Sequence, residues 1–419
     1  MKPLVIIIFL VAYLLLILKK GNPFVVLGGA IAIFLATGAL NVREAFSSIN
    51  FNVLGVFWGT MVLSGLFIFS GVPAYLATRL VDKAKSVGAA MLYVCLLAGF
   101  ISSFVENVAT VLIVAPIAFE VAKKLKANPV PFLIGIAISS NLQGCATMVG
   151  DSPSIILALS SGMSFMDFFW MKGKPGITFA VEAGAIVSFF VLWLIFKKYK
   201  QPIIRIEETK VRTWFPTVLM ILMMLTLAAS SFVQNKPPYT IATICLTYGA
   251  IGLIWHEIKH KESVSLIKDL DWHTFFFLVG IFILVGTLTQ RGVVDDIAGF
   301  IIKYTKGNTF LAYTVVIWLS VILSAFIDNI PYTIAMIPVA KLIASSLGVG
   351  PELFLFGLLI GTSLGGNITP IGASANVVAV GMLRKAKYHV GFGDFLKIGL
   401  PFTLAAVGAA YIVLWVVWK

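Results

Sequence analysis

Residues 102–116 read SSFVENVATVLIVAP and residues 324–338 read SAFIDNIPYTIAMIP, so an acid–asparagine pair recurs inside an apolar stretch at an offset of 222 residues. At the same offset SNLQGCATMVGDSPS (140–154) lies against TSLGGNITPIGASAN (362–376), which pairs Gly144 with Gly366, Thr147 with Thr369 and Gly150 with Gly372. Upstream, Gly59, Gly65 and Gly71 match Gly280, Gly286 and Gly292 at offset 221. Downstream, Phe165-Met166-Asp167-Phe168 matches Phe392-Gly393-Asp394-Phe395 at offset 227. An offset this steady over so long a stretch identifies an internal duplication.

The material around these motifs is that of a membrane protein. Of 419 residues, 59% are hydrophobic and 12% charged, where soluble domains carry about 25% charge. Mean hydropathy is +1.01. The apolar runs are roughly 18 to 25 residues long, enough to cross a bilayer core as helices. The net charge of +13 sits in loops between these runs rather than on one domain, so the expected partner is the lipid bilayer and not nucleic acid. Cys95, Cys145 and Cys245 are far apart within apolar segments, which suggests neither a metal site nor a disulfide framework. The stretch Pro3–Leu18 is followed by Lys19-Lys20-Gly21-Asn22 and no small-residue cleavage site, so it reads as a retained first span rather than a signal peptide.

The expected fold is an all-α polytopic membrane protein, an inverted repeat of two five-span units. The first repeat is 1–196, the second 214–419, with a linker at 197–213. Spans are expected at 4–18, 24–40, 51–72, 130–160 and 176–196, mirrored by 214–232, 238–256, 274–292, 352–381 and 398–416. The segments 88–122 and 309–346 are interrupted midway by Glu106-Asn107 and Asp328-Asn329 and suit re-entrant hairpins. An amphipathic surface stretch precedes each. The spans at 130–160 and 352–381 are broken by the Gly/Thr/Pro motifs, and non-helical backbone is tolerated at that depth only inside protein or beside water. Five crossings per unit require inversion. With both termini outside, most basic residues fall in inner loops, including Lys19, Lys20, Lys126, Arg205, Lys259 and Lys261. The expected location is the cell inner membrane with the linker cytoplasmic.

Ionisable residues within membrane segments are costly and mark ion and substrate paths. Glu106 and Asp328 occupy matching positions, each followed by an asparagine, Asn107 and Asn329. Inversion would bring the two tips together near the midplane, where inverted-repeat transporters bind solute and ion. The blander alternative is that the acids only brace the hairpins. Asp151, whose counterpart is Ala373, reads equally as a sodium or proton site and as a helix cap. The candidate ion-coupling residues are therefore Glu106, Asp151 and Asp328. The candidate solute-binding set is Glu106, Asn107, Asn141, Thr147, Asp328, Asn329, Asn367, Thr369, Ser374 and Asn376. Gly144, Gly150, Pro153, Gly366, Pro370 and Gly372 are the expected breaks, whose freed carbonyls can ligate a cation. Glu182 is expected to snorkel. Gly357, Gly361 and Gly365 are expected to form a helix-contact face, and Cys145 to be a small apolar filler rather than a soft ligand.

Taken together, the four motifs resemble the ion transporter superfamily along essentially the whole chain. The resemblance is to the branch of arsenite-antimonite permeases, silicic-acid efflux carriers, the melanosomal P protein and sodium/proton antiporters. It implies ten spans plus two re-entrant hairpins, a homodimer, and a scaffold part with an elevator-like transport part. Dicarboxylate carriers of that superfamily have Ser-Asn-Thr at the hairpin tips. Here the tips read Glu106-Asn107-Val108 and Asp328-Asn329-Ile330, which would repel a carboxylate. The expected function is proton- or sodium-coupled efflux of a small neutral metalloid hydroxide such as arsenite or silicic acid, with no cofactor beyond the coupling ion. The alternative is a sodium/proton antiporter; a citrate or dicarboxylate symporter fits less well. A passive channel fits duplicated broken helices poorly, and no nucleophile–base–acid set suggests an enzyme.

Overall fold

Helices begin where the chain supplies a side-chain acceptor for their free amides. In the computed structural model, which describes residues 1–17, 22–124, 127–202 and 210–419, Asn22, Asn50, Ser86, Asp271 and Asn308 each cap the helix that follows. Such a cap contributes about 1 kcal/mol. Lys19, Lys20, Lys126, Arg205 and the middle of the linker, 203–209, lie outside the described residues.

Among the described residues, five helices are long and apolar enough to cross a membrane: Phe51–Ser70, Ile177–Phe196, Thr240–His260, Trp272–Gln290 and Phe392–Trp418. Shorter apolar helices stand at the other expected positions, among them Lys2–Ile17, Pro23–Ala36 and Phe215–Ser230. The chain is mostly helical, a polytopic membrane protein. One detail departs from the all-α expectation. Trp170–Met171 and Lys174–Pro175 pair as a two-stranded antiparallel ribbon. Its two-residue turn, Lys172-Gly173, has φ of 50° and 77°, the left-handed geometry that matches strand twist in tight hairpins. Lys172 then reaches Glu352, 2.5 Å away.

Each interrupted segment forms two helices joined by a short turn: Val87–Ser102 with Asn107–Lys124, and Thr309–Ser324 with Asn329–Ser346. Each broken segment forms two pieces: Val130–Gly144 with Ser152–Ser160, and Glu352–Gly365 with Ser374–Lys385. Before each hairpin a short amphipathic helix, Val72–Asp82 or Val293–Tyr304, follows a glycine in the left-handed region, Gly71 (φ 74°) or Gly292 (φ 69°). A Cβ is strained there, so the glycine lets the chain turn sharply out of the preceding helix.

The halves interlock. Phe51–Ser70 packs along Thr240–His260, Ile177–Phe196 along Phe392–Trp418, and Pro23–Ala36 against Trp272–Gln290. Small residues permit the first two approaches: Gly59 faces the Cys245 backbone, and a Cβ on Gly184 would lie 2.7 Å from the Ala406 carbonyl. Within each half the leading hairpin helix packs on the first piece of the broken helix, Val87–Ser102 on Val130–Gly144 and Thr309–Ser324 on Glu352–Gly365. Gly357, Gly361 and Gly365 form that contact in the second half, against Ile317, Ser320 and Val321. Dispersion contacts at such close helix approaches replace the hydrophobic drive that lipid does not supply.

Candidate functional site

The hairpin turns end in carboxylates that cap the next helix. Glu106 Oε2 accepts the amides of Val108 (2.8 Å) and Ala109 (3.2 Å). Asp328 Oδ1 accepts the amide of Ile330 (3.0 Å), and its Oδ2 accepts the Ser374 hydroxyl (3.2 Å). These acids thus cap helices whose first residues are Asn107 and Asn329, and both remain only half-buried.

The asparagines bind the hairpins to the breaks. Asn107 accepts the Ser102 hydroxyl at 2.6 Å, and its amide lies so close to Gly144 that a Cβ there would overlap it. The amide nitrogen of Asn329 is assigned toward the carbonyls of Thr362 and Gly372, 3.1 Å each, because only that orientation satisfies both. A Cβ on Gly366 would meet the Asn329 side-chain amide at 2.9 Å. Gly144 and Gly366 therefore have no Cβ for the same reason, close approach of a hairpin amide.

Thr147 donates its hydroxyl to the Ser103 carbonyl and Thr369 donates to the Ala325 carbonyl, the same tie in both halves. The breaks also bond to each other. Asn141 Nδ2 donates to Asn367 Oδ1 (2.8 Å) and to Asn376 Oδ1 (3.1 Å). Asn367 in turn donates to the Ile138 carbonyl (3.2 Å), and Asn376 to the Gly366 and Thr369 carbonyls (2.9 Å each). The carbonyls freed at the second break are thus occupied by Asn376. Asp151 caps the helix Ser152–Ser160 through Ser154 N (2.8 Å), and its other oxygen accepts the Ser363 hydroxyl across the halves (2.9 Å). It is 2% exposed.

A cavity of about 30 Å³ lies at the centre, lined by Glu106, Asn107, Asn141, Asp151, Asp328, Asn329 and Ser374, with Pro153 beside them. All three candidate ion-coupling carboxylates meet there, and among the described residues no Lys, Arg or His lines it. Thr147, Asn367, Thr369 and Asn376, expected in the solute-binding set, do not line this cavity. They are buried and bonded within the breaks. Gly150 and Gly372 sit where a Cβ would press on the Gly144 and Gly366 carbonyls, and Pro370 follows Thr369 in the second break. Cys145 is buried, with Sγ 3.1 Å from the Leu142 carbonyl. Glu182 is exposed and accepts from Gln143 Nε2 (3.3 Å).

Two wider vestibules adjoin the centre. One, of about 540 Å³, reaches Asp328 and Ser374 and is lined also by Tyr13, Asp271, His273 and Thr274. The other, of about 130 Å³, reaches Glu106 and Asp151 past Thr60, Ser64, Asp269 and Asp271. Asp271 borders both. Neither Tyr13 nor Asp271 stood out in sequence. Tyr13 is one aromatic in an apolar run, and Asp271 precedes a span as many interfacial caps do.

Comparison with known proteins places this architecture. Residues 13–361 match the family model described as "Citrate transporter". An uncharacterized transporter of Mycobacterium tuberculosis is 30% identical over 418 residues, covering 97% of this chain and 96% of that protein. The P protein of Sus scrofa is 27% identical, over 92% of this chain and 56% of its own length. The crystal structure of the Alcanivorax borkumensis YdaH transporter superposes with a TM-score of 0.62 at 16% identity, covering 92% of this chain and 88% of that one. That likeness is one of fold.

Proposed function

The chain belongs to the citrate transporter family, and we propose that it is an ion-coupled secondary transporter exporting a small neutral metalloid hydroxide, arsenite or silicic acid. The observation that carries this reading is the central cavity, where the carboxylates of Glu106, Asp151 and Asp328 and the amides of Asn107, Asn141 and Asn329 meet. A citrate or dicarboxylate there would face like charges. Each such pair costs about 4 kcal/mol at 4 Å and an effective dielectric of 20. A neutral hydroxide meets the same groups as hydrogen-bond partners, donating to Glu106 or Asp328 and exchanging bonds with Asn107 and Asn329.

Protons or sodium ions are the coupling ions, held at Glu106, Asp151 and Asp328. The two halves are inverted repeats, and the protein sits in the cell inner membrane as a homodimer, with both termini outside and the linker cytoplasmic. Several observations support that arrangement. The hydrogen bonds from Thr147 and Thr369, and the amide–glycine approaches at Gly144 and Gly366, recur at the repeat offset. Asp271 then stands at the cytoplasmic side, so both vestibules open inward. The groups around the two hairpins and breaks are the moving part of an elevator.

A second reading, sodium/proton antiport, is favoured by the size of the centre. Its 30 Å³ is about the volume of one water molecule, room for a cation but tight for a hydroxide. Everted vesicles decide between them. Accumulation of arsenite or silicic acid, driven by a proton or sodium gradient and unaffected by citrate, is expected. Sodium-driven pH change with neither solute carried would establish the antiporter instead.

A further inference from the structure

Tyr13 lies outside every repeated motif, on the helix Lys2–Ile17, and it is 9% exposed. Its ring is fixed against Phe9, with centroids 4.5 Å apart. Its hydroxyl is buried and, among the described residues, has no hydrogen-bond partner. A buried hydroxyl left without a partner is costly, so such a group calls for a ligand or water. The side chain borders the 540 Å³ vestibule, which also contains Asp328 and Ser374.

The vestibule therefore holds a donor and an acceptor. A phenol can give its proton to an oxygen, and a carboxylate can take one. A neutral solute carrying two hydroxyl groups satisfies both at once. A carboxylate satisfies the phenol alone and meets Asp328 with like charge. We propose that Tyr13 is a solute-binding residue of this vestibule, donating its hydroxyl proton to one hydroxyl oxygen of the solute while another solute hydroxyl donates to Asp328. This rests on the neutral-hydroxide reading above and extends the site to a span that carries no family motif.

The test uses the full chain in everted vesicles, with arsenite and silicic acid as probes. Tyr13→Phe keeps the ring and its contact with Phe9 and removes only the donor. The expected result is an apparent KM raised roughly three- to tenfold, one neutral hydrogen bond, with maximal rate within twofold of wild type. A Tyr13→Cys variant is expected to react with a membrane-impermeant thiol reagent from the cytoplasmic face, and saturating solute is expected to slow that reaction. An unchanged KM in Tyr13→Phe, a fall in maximal rate alone, or an unreactive Tyr13→Cys would each overturn the assignment while leaving the proposed function intact. Wild-type vesicles that carry neither probe would end the neutral-hydroxide reading and the Tyr13 assignment with it.

Discussion

Asn141 Nδ2 lies 2.8 Å from Asn367 Oδ1, a hydrogen bond between side chains 226 residues apart that joins the break of one half to the break of the other. Both amides are essentially buried, at 1% and 0% exposure. A bond between neutral groups is worth about 1 kcal/mol net, but an amide left buried without its partner costs about 1–3 kcal/mol. The pair therefore makes the two broken helices one unit.

Asn141→Ala and Asn367→Ala are each expected to lower stability by about 1–3 kcal/mol, because each removes a buried partner of the other amide, which keeps only its bond to Asn376 or to the Ile138 carbonyl. The double variant is expected to lose less than the sum, with an interaction term of about 0.5–3 kcal/mol. Thermal unfolding in detergent with and without solute measures this. Strict additivity would mean the bond does not couple the breaks.

Gly144→Ala and Gly366→Ala place a methyl group against the Asn107 and Asn329 amides. Each is expected to abolish transport, since the amide must leave its position beside the cavity. Gly381 offers the control. It lies in the helix Ser374–Lys385 with nothing within 4 Å of a built Cβ. Gly381→Ala is expected to keep transport and to gain up to about 1 kcal/mol of helix stability. Equal activity in all three variants would show that the close approaches are incidental.

The helix order, the interruptions at 106–107 and 328–329, and the breaks after Gly144 and Gly365 were legible because each is written locally. Apolar length, a polar interruption and Gly/Pro punctuation all read along the chain. The meeting of Glu106, Asp151 and Asp328 was legible only for the two acids at repeat-matched tips. Asp151 has Ala373 as its counterpart, and its link to Ser363 depends on how two halves dock, which no local pattern records. The same limit hid Tyr13 and Asp271. Thr147, Thr369, Asn367 and Asn376 carry the residue types of a binding site. Type alone does not tell a side chain that meets solute from one that closes a broken helix.

Orientation follows from the odd number of crossings proposed for each half. A cysteine near Lys259 is expected to be labelled by an impermeant reagent only from the cytoplasm, and one near Arg43 or Lys172 only from outside. Lys172 is well placed for this, since its side chain is 63% exposed despite the contact with Glu352. Labelling of the Lys172 and Lys259 positions from one face would remove the inverted arrangement.

The acids at the tips allow a test of what excludes carboxylates. Glu106→Gln and Asp328→Asn keep size and hydrogen-bonding capacity while deleting charge. The helix caps survive in part, because the amide oxygen still accepts from Val108 or Ile330, so stability is expected to fall by no more than about 1 kcal/mol each. Coupled transport of a neutral solute is expected to be lost in either variant, because one of the three carboxylates that together exchange protons or hold sodium is gone. Carboxylate exclusion behaves differently, since it is a sum over charges. Each neutralised acid lowers the repulsion on a dicarboxylate, so succinate binding, absent in wild type, is expected to emerge in the double variant at millimolar affinity. Asp151 remains as a residual opposing charge, which keeps that binding weak. Saturable succinate uptake by wild type, lost rather than gained in the double variant, would show that the carboxylates bind ions that bring the anion in, and the neutral-solute reading would fall.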